Sequence, residues 1–199
     1  MPLRWLALGD SYTIGEGVAE TDRWPAQAAA RLRAEGVGVR PPEIVAATGW
    51  TAADLLDGLD AAATAGPVDA VTLLIGVNDQ YDGVTLDAYR ADLRALLDRS
   101  RALARGDAAR VVVLSIPDWG ATPFAADRDR GAIARAVGAF NAVVRDEAAA
   151  VGAALVDLTP LSRTQGDLVV EDGLHPSGEA YRAWAALAAP AVRAALGAG

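Results

Sequence analysis

Five short apolar runs recur along this chain, at Trp5 to Leu8, Ile44 to Ala47, Ala70 to Val77, Val111 to Ile116 and Ala154 to Leu158. Most lack the polar alternation of a strand with one wet face. A strand that is apolar on both faces needs helices above and below it, which is the situation of a parallel sheet. The residues between the runs supply such helices. Leu86, Tyr89, Leu93, Leu96, Leu97 and Leu103 form one stripe at helical spacing, and Ile133, Val137, Phe140 and Val144 form another. Tyr181, Trp184, Leu187 and Val192 mark one face of a last helix, in which Pro190 predicts a bend or the end of its first half. This alternation of strand and helix predicts an α/β fold, an open parallel sheet with helices on both faces.

The chain has 199 residues and is 52% hydrophobic, enough for one continuous core, and no linker or internal repeat divides it; one domain over 1–199 is expected. No apolar run approaches the roughly 18 residues of a membrane span. Met1-Pro2-Leu3-Arg4 leads into the first run without a signal-peptide core. A cytoplasmic protein with no stable membrane association is the expectation. Cysteine is absent, which removes disulfides and cysteine metal sites, and a single histidine with scattered carboxylates offers a poor metal ligand set, so no metal is expected. The net charge of −8 argues against a nucleic-acid partner. All 18 basic residues are arginine. Without lysine there is no P-loop amine and no Schiff base.

In an open parallel sheet, ligands bind beyond the carboxyl ends of the strands. The residues that follow each apolar run are therefore the ones to weigh. Ser11 follows the first, Gly49 the second, Asn78 the third, and Trp119 the fourth. Asp172 and His175 lie on the long segment after the fifth, from Thr159 to Pro176. The segment from Pro117 to Arg130 is also long and irregular, and loops of such length in a compact domain are commonly functional.

His175 is the only histidine, so any mechanism that needs a base near neutral pH has one obvious choice. Ser11 alone among the five serines sits on a strand-to-loop crest beside glycine; Ser100 falls near a helix end, Ser115 in a strand, Ser162 in a polar loop and Ser177 in the first turn of a helix. Taken singly, Ser11 reads better as a turn or helix-cap residue. His175 reads equally well as the residue before a last helix, with Pro176 suited to its first position. Asp172 shifts the balance: three residues back on the same loop, it can accept the imidazole Nδ1 proton and leave Nε2 as base. Gly49 N–H, the Asn78 amide and Ser11 N–H are candidate donors to a developing oxyanion, although glycine and asparagine are also ordinary turn residues.

As a set, these residues resemble the SGNH hydrolases, or GDSL-type esterases and lipases. The blocks are Gly9-Asp10-Ser11 with Gly15-Glu16-Gly17, then Gly49, then Gly76-Val77-Asn78-Asp79, then Asp172-Gly173-Leu174-His175-Pro176, in the family's order across residues 9 to 176. The resemblance implies a three-layer α/β/α sandwich, flavodoxin-like, with strand order 2-1-3-4-5. It implies Ser11 as nucleophile, His175 as base and Asp172 as its supporting acid, with Ser11, Gly49 and Asn78 forming the oxyanion hole and no cofactor. Tyr12 stands where the family's tetrad usually has leucine, a departure that bears on pocket shape. The expected partner is a small-molecule ester. Tyr12, Trp50, Tyr81 and Trp119 lie where a pocket wall would be, and with no long insertion to form a lid, short-chain acyl or acetyl esters of a small molecule or sugar are favoured. A thioesterase or lysophospholipase of the same family and a non-catalytic binding module are the alternatives. A dinucleotide site ranks far below, because Gly15-Glu16-Gly17-Val18-Ala19-Glu20 lacks the third glycine of that motif.

Overall fold

The five runs become strands β1 (Trp5–Gly9), β2 (Glu43–Ala46), β3 (Ala70–Leu74), β4 (Val111–Leu114) and β5 (Ala154–Val156) in a computed structural model that describes residues 1–197 apart from 63 and 65. Every pairing is parallel, and the order is β2-β1-β3-β4-β5, as the resemblance implied. The central strands β1 and β3 are buried along their whole length. Edge strand β2 is only half-buried and begins on exposed Glu43.

Among the described residues the connections contain α1 (Ser11–Ile14), α2 (Trp24–Ala34), α3 (Ala52–Ala61), α4 (Val77–Tyr81), α5 (Leu86–Leu103), α6 (Arg130–Val151), α7 (Thr159–Thr164) and α8 (Gly178–Ala195). Helix α2 packs on α8, while α5 packs on both α3 and α6, which gives the sheet its two helical layers. No helix among the described residues is long and apolar enough to cross a membrane.

Several sequence expectations need correction. The third strand stops at Leu74 rather than continuing to Val77, because Gly76 adopts φ 124° and turns the chain into α4. A side chain at Gly76 would also collide with the Tyr89 ring, whose atoms lie 2.5 to 2.8 Å from the Cβ position. Leu187, assigned to the inner face of the last helix, is 42% exposed. The face that α8 buries is instead built from Tyr181, Trp184, Val192 and a run of alanines, Ala185, Ala188, Ala189 and Ala195. Alanine there lets α8 approach α2, which presents Ala28 and Ala29 in turn. Pro190 does not end the helix; α8 runs through it. Ser115 lies just beyond β4, Ser162 is within α7, and Ser177 caps α8, so Pro176 precedes the cap instead of opening the helix.

The register places the candidate residues at one level. Gly9 pairs with both Ala46 and Leu74, so the chain leaves β1, β2 and β3 at the same height along the sheet edge.

Candidate active site

The crest after β1 is built around a capped single turn of helix. Asp10 is extended, at φ −121° and ψ −150°, and its Oδ1 accepts the Tyr12 N–H at 2.9 Å, while Gly15 closes α1 at φ 72°. Four residues cannot hold a helix by propensity alone, so these two ends and the burial of Ser11, Tyr12 and Thr13 hold it. Gly9 is required for the strand to enter this turn: a Cβ there would sit 2.2 Å from Thr13 Oγ1 and 2.4 Å from the Leu74 carbonyl oxygen. Ser11 opens the helix and is buried.

His175 reaches this crest from the segment after α7. That segment is folded back by an antiparallel bridge between Val169 and Pro176, by Val170 N–H to His175 O at 2.8 Å and by Ser177 N–H to Leu168 O at 2.9 Å. Within it, Asp172 uses both carboxylate oxygens. Oδ1 accepts the N–H groups of Leu174 at 2.7 Å and His175 at 2.9 Å, and Oδ2 lies 2.6 Å from His175 Nδ1. Burial opposes the charge on Asp172, but the bonds from the His175 ring and the two backbone N–H groups outweigh it and hold its pKa below the ordinary value. An ionised carboxylate can only accept, so Nδ1 carries a proton, and Nε2, which lies 2.9 Å from Ser11 Oγ, is the acceptor of the ring whenever the imidazole is neutral. The Tyr12 ring backs the imidazole with centroids 5.3 Å apart and stacks on Trp184 at 6.1 Å.

Neither the Ser11 nor the Gly49 N–H finds an acceptor among the described residues. Gly49 sits at φ 82° in a turn closed by Trp50 N–H to Ala47 O at 3.3 Å, and, its chain neighbours aside, none of the described residues comes within 4 Å of where a Cβ would be. Asn78, on α4, donates one amide hydrogen to the Trp50 carbonyl at 2.8 Å and keeps the other. This bond ties the Gly49 turn to α4, and a hydrogen bond from Thr48 to Glu16 ties it to the loop after α1. Asp79 secures the same region by accepting the Ala52 N–H at 3.0 Å. Below the crest, Asp10 and Asp79 are buried carboxyls. Burial, reinforced by the charge of Asp79, raises the Asp10 pKa to about 7 against the pull of the Tyr12 N–H, and burial raises Asp79 to about 6. Among the described residues Oδ2 of Asp10 has no hydrogen-bond partner, so a charge on it would be buried uncompensated.

Ser11, Asn78 and His175 line a cavity of about 200 Å³ together with Tyr12, Tyr81 and Trp119. Trp50 does not join them: its ring packs against Gly58 of α3, and only its carbonyl serves the site. Val77, Leu174 and Phe124 complete the lining. Val77 and Leu174 stand within the motif blocks without being marked there as wall residues, and for Phe124 the signal in the sequence is its place in the irregular 117–130 segment. Trp119 is fixed by its ring N–H, which donates to Gln80 Oε1 at 2.6 Å, and by its neighbour Asp118, which pairs with Arg163 at 2.7 Å. No group of three or more His, Asp or Glu among the described residues could hold a metal ion.

The model of the GDSL-like lipase/acylhydrolase family matches residues 7–183. No curated protein matches the sequence. Among solved structures, TesA superposes with a TM-score of 0.78 at 24% identity, over 96% of this chain and 99% of that one. A lipase/acylhydrolase from Enterococcus faecalis gives 0.77 at 21% identity, over 97% and 96%. Axe2, an acetylxylan esterase from Geobacillus stearothermophilus, gives 0.72 at 20% identity, over 99% and 95%. At these identities the three structures speak for the fold.

Proposed function

Since the chain belongs to the GDSL-like lipase/acylhydrolase family, a family of ester hydrolases, we propose that it cleaves carboxylic esters through an acyl-enzyme on Ser11. The observation that carries this reading is the unbroken series of contacts from Asp172 through His175 to Ser11 Oγ, at 2.6 and 2.9 Å, opening on a cavity. His175 Nε2 takes the hydroxyl proton as Ser11 Oγ bonds to the ester carbon. The carbonyl oxygen becomes an oxyanion held by the N–H groups of Ser11 and Gly49 and by the spare Asn78 amide hydrogen. As the tetrahedral carbon collapses, the bond to the alcohol oxygen breaks and His175 gives that oxygen its proton. Water then attacks the acyl-enzyme with His175 again as base, releasing the acid and restoring Ser11. No metal or organic cofactor enters these steps.

The substrates we propose are short-chain acyl or acetyl esters of a small molecule or sugar. A cavity of about 200 Å³ is smaller than the roughly 300–1,000 Å³ of sites for drug-sized ligands. The fold shared with an acetylxylan esterase is consistent with an acetyl group in that space. The test is a series of aryl esters of graded acyl length, run beside acetylated sugars, with fluorophosphonate labelling of the wild type and of Ser11→Ala. Labelling at Ser11 and a maximum at short chains are expected. Labelling that survives Ser11→Ala would remove the nucleophile, and a maximum at about ten or more carbons would remove the short-acyl assignment.

A further inference from the structure

The outer wall of the cavity is held together by a residue outside the reacting set. Arg128 lies between β4 and α6, and its guanidinium carbon is 5.2 Å from the centroid of the Tyr81 ring, 5.4 Å from Trp119 and 4.9 Å from Phe124. Its Nη2 also donates to the Tyr81 hydroxyl at 3.0 Å, and it forms no ion pair among the described residues. The three rings touch one another as well, with centroids 5.5, 6.1 and 6.4 Å apart. They come from different parts of the chain. Tyr81 ends α4, the helix that carries Asn78, whereas Trp119 and Phe124 belong to two short 3₁₀ turns after β4.

Trp119 is buried, but Tyr81 is 47% and Phe124 39% exposed. Rings so open gain too little from burial to fix their rotamers unaided. A planar cation lying within 5.5 Å of all three supplies the missing restraint.

We infer that Arg128 is a specificity-determining residue: by clamping Tyr81 and Phe124 against Trp119 it fixes the far wall of the acyl cavity and restricts the length of acyl group that fits. The inference rests on the reading that Ser11 is acylated in this cavity. Arg128 contacts none of Ser11, Asp172 and His175, so its effect falls on selectivity and not on proton transfer. Freed of the clamp, Tyr81 and Phe124 swing outward, the wall recedes, and longer chains gain while short ones lose contacts.

The experiment compares kcat/KM for p-nitrophenyl acetate, butyrate and octanoate in the full chain, the wild type beside Arg128→Ala, Arg128→Lys and Phe124→Ala. With Arg128→Ala the acetate-to-octanoate ratio should fall about tenfold, with KM moving more than kcat and the pH profile unmoved, since a change of a few methylenes in an apolar pocket is worth at least that. Arg128→Lys keeps a charge but not the flat face and should fall between, at about threefold. Phe124→Ala removes a ring from the same wall and should shift the ratio the same way. An unchanged ratio in both Arg128 variants, with Phe124→Ala shifted, would leave the wall and overturn the clamp. An unchanged ratio in all three would overturn both. If instead the wild type neither turns over these esters nor takes a fluorophosphonate at Ser11, it is the proposed nucleophile that fails, and the clamp with it.

Discussion

On one side of the cavity Ser11, His175 and Asp172 are joined by hydrogen bonds of 2.6 and 2.9 Å, and Asp172 is anchored by two backbone N–H groups. On the other, Tyr81, Trp119 and Phe124 meet by ring contacts of 5.5 to 6.4 Å under a single guanidinium. The two walls fail differently when altered. A hydrogen-bonded chain has one working arrangement, so removing any member should stop the proton transfer proposed for it. A stacked wall has many near-equal arrangements, so removing a member alters shape by degrees. On the proposed mechanism, chemistry and selectivity are carried by separate parts of one cavity.

That contrast can be broken at several strengths. Ser11→Ala should cost on the order of 10⁴ to 10⁶ in kcat, read by steady-state ester hydrolysis; a loss of tenfold or less would mean another nucleophile. Asp172→Asn, which loses the charge and the acceptor that fix the His175 tautomer, should cost about 10⁴ in kcat. Were that variant to stay within tenfold of wild type, the hydrogen-bonded wall would be no stricter than the ring wall. Asn78→Ala should cost about 10² to 10³ in kcat with little change in KM, because on the proposed mechanism its amide serves the oxyanion more than the bound ester. All three exceed the graded changes expected at Arg128 and Phe124.

The smallest effect concerns stability. Asp10 keeps its proton to about 7 in the fold but would lose it near the ordinary 3.8 when unfolded, and Asp79 behaves the same way up to about 6. Between those values the folded chain binds more protons than the unfolded one, so stability should fall as pH rises from about 4 to about 7. Asp172, with its lowered pKa, acts oppositely and gives up its contribution only as pH drops below the usual carboxylate range. Asp10→Asn retains the acceptor for the Tyr12 N–H and has no charge to bury. Its melting temperature at pH 8, relative to pH 5, should decline less than that of the wild type, by roughly 2–4 °C for each kcal/mol of buried charge removed. Equal declines in thermal melts of the two proteins would place the pH sensitivity elsewhere.

The hydrogen-bonded wall was also the one legible in the sequence. Its residues are of types with few alternative uses in such a set, a lone histidine above all, and they follow apolar runs that mark strand ends. The strands themselves were readable because helices cover both faces of β1 and β3. Helices α1, α4 and α7 were not, since four to six residues are too few to show a helical period and stand on caps and burial supplied by the fold. The aromatic wall was half legible. Tyr81, after Asn78, and Trp119, beyond β4, line the cavity as expected, but Trp50, one residue beyond Gly49, turns its ring onto Gly58 because that glycine leaves room for it. Phe124 and Arg128 lie in a loop whose path no periodicity describes. The buried face of α8 was misread at Leu187 for a related reason: alanines carry it, and alanine gives little hydrophobic contrast in a sequence.

The contact between Ser11 and His175 joins positions 164 apart, so nearly the whole chain forms a loop closed at that point. Its entropic cost is modest, because doubling a loop adds only about 0.6 kcal/mol. The larger consequence lies in the order of folding events. The proposed nucleophile, Ser11, hangs on the end of a central strand and the proposed base, His175, on the approach to the last helix, so a partly folded form lacking either should not react with an ester. On that mechanism, turnover should report how much of the polypeptide has reached its final topology, from the first strand to the docking of the last helix.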